Sequence, residues 1–126
     1  MATIRRFEDI QAWQKARELV QEVYKTSSVG KIGKDYGLRD QMQRAAVSAM
    51  SNIAEGFARK SRKDFSHFLC FARASAVEVQ SLLYVALDTK GMDRSQFDML
   101  YHKSEEVISM TTRLMAYLNK KESQLQ

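Results

Sequence analysis

The stretch SRKDFSHFLCFARASAVEVQSLLYVALDT, residues 61–89, decides the fold. Phe65, Phe68, Leu69, Phe71, Ala72, Ala76, Val79, Leu82, Leu83 and Ala86 recur at helical spacing and define one broad apolar face. Ser61 with Asp64 three residues on is an approximate capping box, and Gly91 just past Thr89 is a stop signal. The spacing predicts one helix over 61–89.

Three more helices follow on either side. One is predicted from about Leu38 to Ala58, and one from about Asp9 to Thr26 on Ile10, Trp13, Ala16, Val20, Val23 and Tyr24. Between them, residues 27–33 read as a loop. The last opens at Asp93, with Gln96 in capping-box relation, and runs to about Lys120; Phe97, Leu100, Tyr101, Ser104, Val107, Ile108, Thr111, Leu114, Met115 and Leu118 form its inner face. Proline is absent and glycine numbers five, too few breakers for a β-rich chain. Helices of roughly 27–43 Å joined by short connections predict a single all-α domain over 1–126, an antiparallel up-down-up-down four-helix bundle.

The N-terminal residues are charged and carry no signal-peptide pattern, and no uninterrupted apolar run approaches the roughly 18 residues of a membrane span. One cysteine, Cys70, excludes an internal disulfide framework and fits a reducing compartment. The expectation is a cytoplasmic protein without a membrane partner.

Catalytic and metal chemistry lack their residues. His67 and His102 have no second ligand set: Asp64-x-x-His67 alone approximates the paired Glu-x-x-His motif of di-iron bundles. Cys70 reads as a buried structural thiol, having no basic neighbour in its small-residue stripe. Gly30-Lys31-Ile32-Gly33-Lys34 is too short for a Walker loop and follows a helix, while a KH-type loop needs a sheet. No enzyme activity, metal or cofactor is expected.

Surface patterns are more informative. A second stripe on the 61–89 helix, Cys70, Ala74, Val77, Ser81 and Tyr84, alternates steps of four and three, and the preceding helix has a comparable face in Val47, Met50, Ala54 and Ala58. Apolar surface beyond one core usually meets something, so these positions are candidates for an oligomer interface. The polar stripe Gln41, Arg44, Ser48, Asn52, Glu55 and Arg59, together with Arg73 and Glu78, which interrupt the otherwise apolar 61–89 helix, reads as a solvated side or a hydrogen-bonded network that fixes register. The rival reading is a polar site between helices.

The net charge is +5, and its distribution is uneven: residues 1–63 carry 13 Lys/Arg against 7 Asp/Glu, residues 64–126 carry 7 against 8. In the expected topology, Arg5, Arg6, Arg59, Lys60, Arg62, Lys63, Lys120 and Lys121 gather at one end. The opposite end holds Lys31, Lys34, Lys90 and Arg94 among Asp35, Asp88 and Asp93. The first cluster is either an anion-binding surface or a solvated helix start.

Phe7 to Ala16, then Gln43-Arg44-Ala45-Ala46-Val47-Ser48, above all Ser51-Asn52-Ile53-Ala54-Glu55-Gly56, and later Phe68-Leu69 and Ala72-Arg73-Ala74-Ser75, resemble a bacterial four-helix-bundle family. Its members were first described from reading frames within intervening sequences of large-subunit ribosomal RNA genes, and the chain is similar too to the accessory variability determinant proteins of diversity-generating retroelements. The resemblance implies a cytoplasmic bundle assembling as a pentameric ring, with association to RNA or DNA and, in the retroelement branch, to a reverse transcriptase. Where members often carry Ile-Pro, this chain has Ala49-Met50, so no proline kink is required. The paired arginines before Ala-Ala-Val-Ser are reduced to Gln43-Arg44. The resulting expectation is a non-enzymatic, nucleic-acid-associating homo-oligomer; the alternative is a protein–protein adaptor, for example for a reverse transcriptase, with incidental charge.

Overall fold

The computed structural model describes residues 3–125, and side chains over 3–121. Among the described residues there are five helices and no strand. They are α1 (Gln11–Ser27), α2 (Gly30–Lys34), α3 (Tyr36–Ala58), α4 (Arg62–Asp88) and α5 (Arg94–Leu125), preceded by a 3-10 turn at Phe7–Asp9. The fifth helix corrects the sequence reading, which took residues 27–33 as loop. Ile32, 1% exposed, lies against Gly91 in the α4–α5 connection, and its burial holds α2 in place. Tertiary packing overrides two glycines in five residues.

Local signals set the helix starts. Ser61 Oγ accepts the Asp64 N–H at 3.3 Å, capping α4. At α5 the box is reciprocal: the Gln96 N–H donates to Asp93 Oδ1 at 2.8 Å, and the Asp93 N–H donates to Gln96 Oε1 at 3.1 Å. Asp35 caps α3 by accepting the Leu38 N–H. The α4 terminus is a Schellman turn, with Gly91 N–H on Ala86 O and Lys90 N–H on Leu87 O. The left-handed residue there is Lys90, φ 61°, not the glycine beside it.

Each of the four long helices packs on two others, α3 on α1 and α4, and α5 on α1 and α4. Small residues set the α3–α4 spacing: Ala45, Ala46, Ala49, Ala72 and Ala76 are all buried, as is Gly56. A Cβ on Gly56 would stand 2.6 Å from Phe68 Cβ and 3.0 Å from Phe65 Cδ1. Polar rungs join the other faces. Gln80 Nε2 donates to Glu105 at 2.8 Å, Arg73 Nη1 to Thr112 at 3.2 Å and Ser66 Oγ to Asn119 at 3.2 Å. Between α1 and α5, Lys15 bridges Glu106 and Glu18, and Lys103 reaches Glu18 at 3.5 Å. The hydrogen bond to Glu106, then its charge and that of Glu18, raise the Lys15 pKa.

Most of the expected inner faces of α1, α4 and α5 lie in the core; Phe68, Val20, Tyr101, Ile108 and Leu114 are half-buried at its margin, while Phe71 and Tyr24 are exposed. An 18-residue window of α4 has a mean hydropathy of 1.3, enough by length and composition for a membrane span, and 39% of it is buried within the chain. Arg73 and Glu78 interrupt that helix midway.

Candidate nucleic-acid interface

The α3–α4 connection places its cations by backbone geometry. Arg59 caps α3, Lys60 takes a left-handed turn at φ 63°, Ser61 caps the next helix, and Arg62 and Lys63 occupy its first turn. All four basic side chains are exposed, and among the described residues none of them forms an ion pair. Arg59 lies 5.0 Å over the Phe68 ring, which orients its guanidinium without neutralising it.

Beside the connection is a cleft of about 710 Å³ between the start of α4 and the last described turns of α5. Its walls include Arg62, Lys63, Ser66, His67, Cys70 and Asn119, with Asp64 as the one acid among the described lining residues. On the other side of α5, the N-terminal segment closes a second groove of about 450 Å³. Ile4, Asp9, Ile10 and Ala12 face Met110, Arg113, Leu114 and Tyr117 across it. The structure thus brings together the N-terminal segment, the α3–α4 connection and the C-terminal half of α5.

Arg5 and Arg6 are exposed on that segment, though Arg6 Nη2 pairs with Glu8 at 2.6 Å. A backbone hydrogen bond, then the Arg6 guanidinium, hold the Glu8 carboxyl below its usual range. Asp9 accepts the Arg5 N–H at 3.1 Å through Oδ2. Lys120 is exposed, and Lys121 Nζ sits 5.7 Å over the Tyr117 ring. At the opposite end the cations are partly engaged: Lys31 donates to Thr89 O, and Arg94 pairs with Asp98 at 3.1 Å.

The remaining candidates divide. Cys70 is exposed, which corrects the expectation of a buried thiol: α4 turns the Cys70, Ala74, Val77, Ser81 and Tyr84 stripe away from its own bundle. Val77 is 48% and Tyr84 50% exposed, and Tyr84 still packs edge-on against Phe97 at 4.9 Å. On α3, Val47 is exposed while Met50 and Ala54 are half-buried. Of the polar stripe, Ser48 and Asn52 form a small network with Ser75, and Arg73 joins Thr112 instead. Arg44, Glu55 and Glu78 are exposed and outside it, so the stripe is not one network. Arg113 and Tyr117 escaped the sequence reading, which weighed His67 only as a metal ligand. Arg113, Tyr117 and Lys121 stand at steps of four, a signal a search for basic–aromatic spacing would find.

Residues 8–113 match the model of the family described as 23S rRNA-intervening sequence protein. The chain belongs to that family. Its matched span includes α1 to α4 and the basic connection between α3 and α4. The structure of this family member is similar to a crystal structure of a protein from the S23 ribosomal protein family of Bacteroides thetaiotaomicron, with a TM-score of 0.75 at 23% identity. The likeness covers 82% of this chain and 97% of that one, and at that identity it speaks for the fold alone. No curated protein matches the chain.

Proposed function

We propose that this family member is a non-enzymatic, homo-oligomeric nucleic-acid-associating protein that works in the cytoplasm and binds through the basic end described above. The observation that carries the reading is the exposed run Arg59, Lys60, Arg62 and Lys63 beside the cleft, free of ion pairs among the described residues. Free exposed cations release counterions when they meet phosphates, whereas paired ones must first break a contact.

The end-to-end arrangement supports an antiparallel up-down-up-down bundle with α2 as an addition between α1 and α3. Along the rungs Ser66–Asn119, Arg73–Thr112 and Gln80–Glu105, numbers rise on α4 as they fall on α5. Self-assembly, as a pentamer by resemblance, would cover the exposed α4 stripe from Cys70 to Tyr84 together with Val47, Met50 and Ala54. That same stripe favours the second reading, an adaptor that docks another protein such as a reverse transcriptase, in keeping with the resemblance to retroelement accessory proteins.

A salt-titrated gel shift separates the two. Replacing Arg59, Lys60, Arg62 and Lys63 with alanine is expected to weaken binding to all sequences and flatten the slope of log K against log salt by up to about 3–4. An unchanged affinity and slope, with assembly intact, would favour the adaptor.

A further inference from the structure

Tyr117 is 41% exposed at the edge of the second groove, with Arg113 one turn before it and Lys121 one turn after. The three stand on one line of α5, about 6 Å apart per step at 1.5 Å rise per residue. Lys121 Nζ stands 5.7 Å from the ring centroid, over one face. Arg113 has no ion-pair partner among the described residues, and the groove's acid, Asp9, accepts the backbone N–H groups of Arg5 and Arg6 through Oδ2. Below the ring the groove is apolar: Ile10 and Ala12 are buried, Leu114 half-buried. Arg5 and Arg6 belong to the segment on its far side.

We infer that this groove takes an unstacked nucleobase against Tyr117, with the flanking phosphates on Arg113 and Lys121, so that the nucleic acid bound here is single-stranded. The proposal rests on the nucleic-acid reading above and names its ligand class. A duplex keeps its bases stacked and paired and offers only its backbone and groove edges to an aromatic ring. A single strand presents π-faces between charges, matching a cation–aromatic–cation line. An apolar groove with cations at its margins suits a base, which is flat and weakly polar, joined to anionic phosphates. A free anion would gain nothing from the apolar floor, and a neutral apolar ligand nothing from the cations.

The test is fluorescence anisotropy on the full chain with a short labelled single-stranded RNA, its DNA counterpart and the corresponding duplex, in wild type, Tyr117→Ala and Tyr117→Phe. At least one single strand should bind about tenfold or more tighter than the duplex, and the tighter of the two names the sugar. Tyr117→Ala should lose roughly 5- to 150-fold for the single strand, the range of base–aromatic stacking. Because it removes no charge, its salt slope should equal that of wild type, and Tyr117→Phe should stay within about twofold of wild type. Equal affinity for single strand and duplex, or an alanine variant that binds the single strand like wild type, overturns this inference while leaving the basic-end reading standing. A wild type that binds none of the three probes overturns both. Circular dichroism of Tyr117→Ala guards against misfolding, since alanine favours the helix at this exposed position.

Discussion

At the scale of single residues, two backbone positions carry more than their side chains. Gly56 lets α3 approach α4 closely. An added methyl would stand 2.6 Å from Phe68 Cβ, an atom fixed to the α4 backbone that cannot rotate aside. Alanine's better helix propensity, worth about 1 kcal/mol, works against that clash. Overpacking of about 1–3 kcal/mol is expected to dominate. Gly56→Ala should therefore lower the urea midpoint without changing the m-value, and a rise in midpoint would mean the helices slide apart at little cost. Lys90 is the converse case. Its φ of 61° suits glycine, and its backbone already closes the Schellman turn. Lys90→Gly should stabilise by about 0.5–1 kcal/mol, left-handed strain relieved minus the extra freedom of the unfolded chain. Thermal melts of the two variants should shift in opposite directions.

At the scale of elements, α2 shows where sequence reading stops. Its five residues are mostly signals for a loop, two glycines and two lysines around one isoleucine. What makes them helical is the packing of Ile32 against Gly91, a residue far away in sequence. Ile32→Ala should cost about 2–5 kcal/mol, measured by chemical denaturation, because a fully buried site anchored from both sides collapses poorly. A loss below about 1 kcal/mol would place the anchor elsewhere. The four long helices, by contrast, were legible because period, caps and the absence of proline agree with one another. The candidate site was half legible. Charge runs such as Arg59 to Lys63 can be read along the chain. The groove beneath Tyr117 needs α5 and the N-terminal segment side by side, and the exposure of Cys70 depends on which way α4 turns in its bundle. A helical period gives the relative phase of residues, not which phase meets a neighbour when both faces are apolar. Phe71 illustrates the same ambiguity: it fits the inner face by spacing and yet is 47% exposed.

At the scale of the whole molecule, one chain presents a modest cluster of exposed charges, each of which is individually weak. Its α4 stripe leaves Val77 and Tyr84 half in solvent, beside the small residues Ala74 and Ser81. If copies pack along that stripe, the basic ends are repeated, and a strand long enough to touch several of them binds with an effective concentration set by the assembly. Two measurements then become linked. Ala74→Glu puts an unpaired carboxylate into the seam, and it should shift the light-scattering mass from an oligomer to a monomer while circular dichroism stays helical. The same variant should bind a short oligonucleotide like wild type, because Arg59, Lys60, Arg62 and Lys63 are untouched. It should lose at least about tenfold for a long strand, where avidity operates. Wild-type protein that scatters as a monomer at micromolar concentration would remove the assembly. An Ala74→Glu monomer that still holds long strands at full strength would show instead that each basic end binds alone.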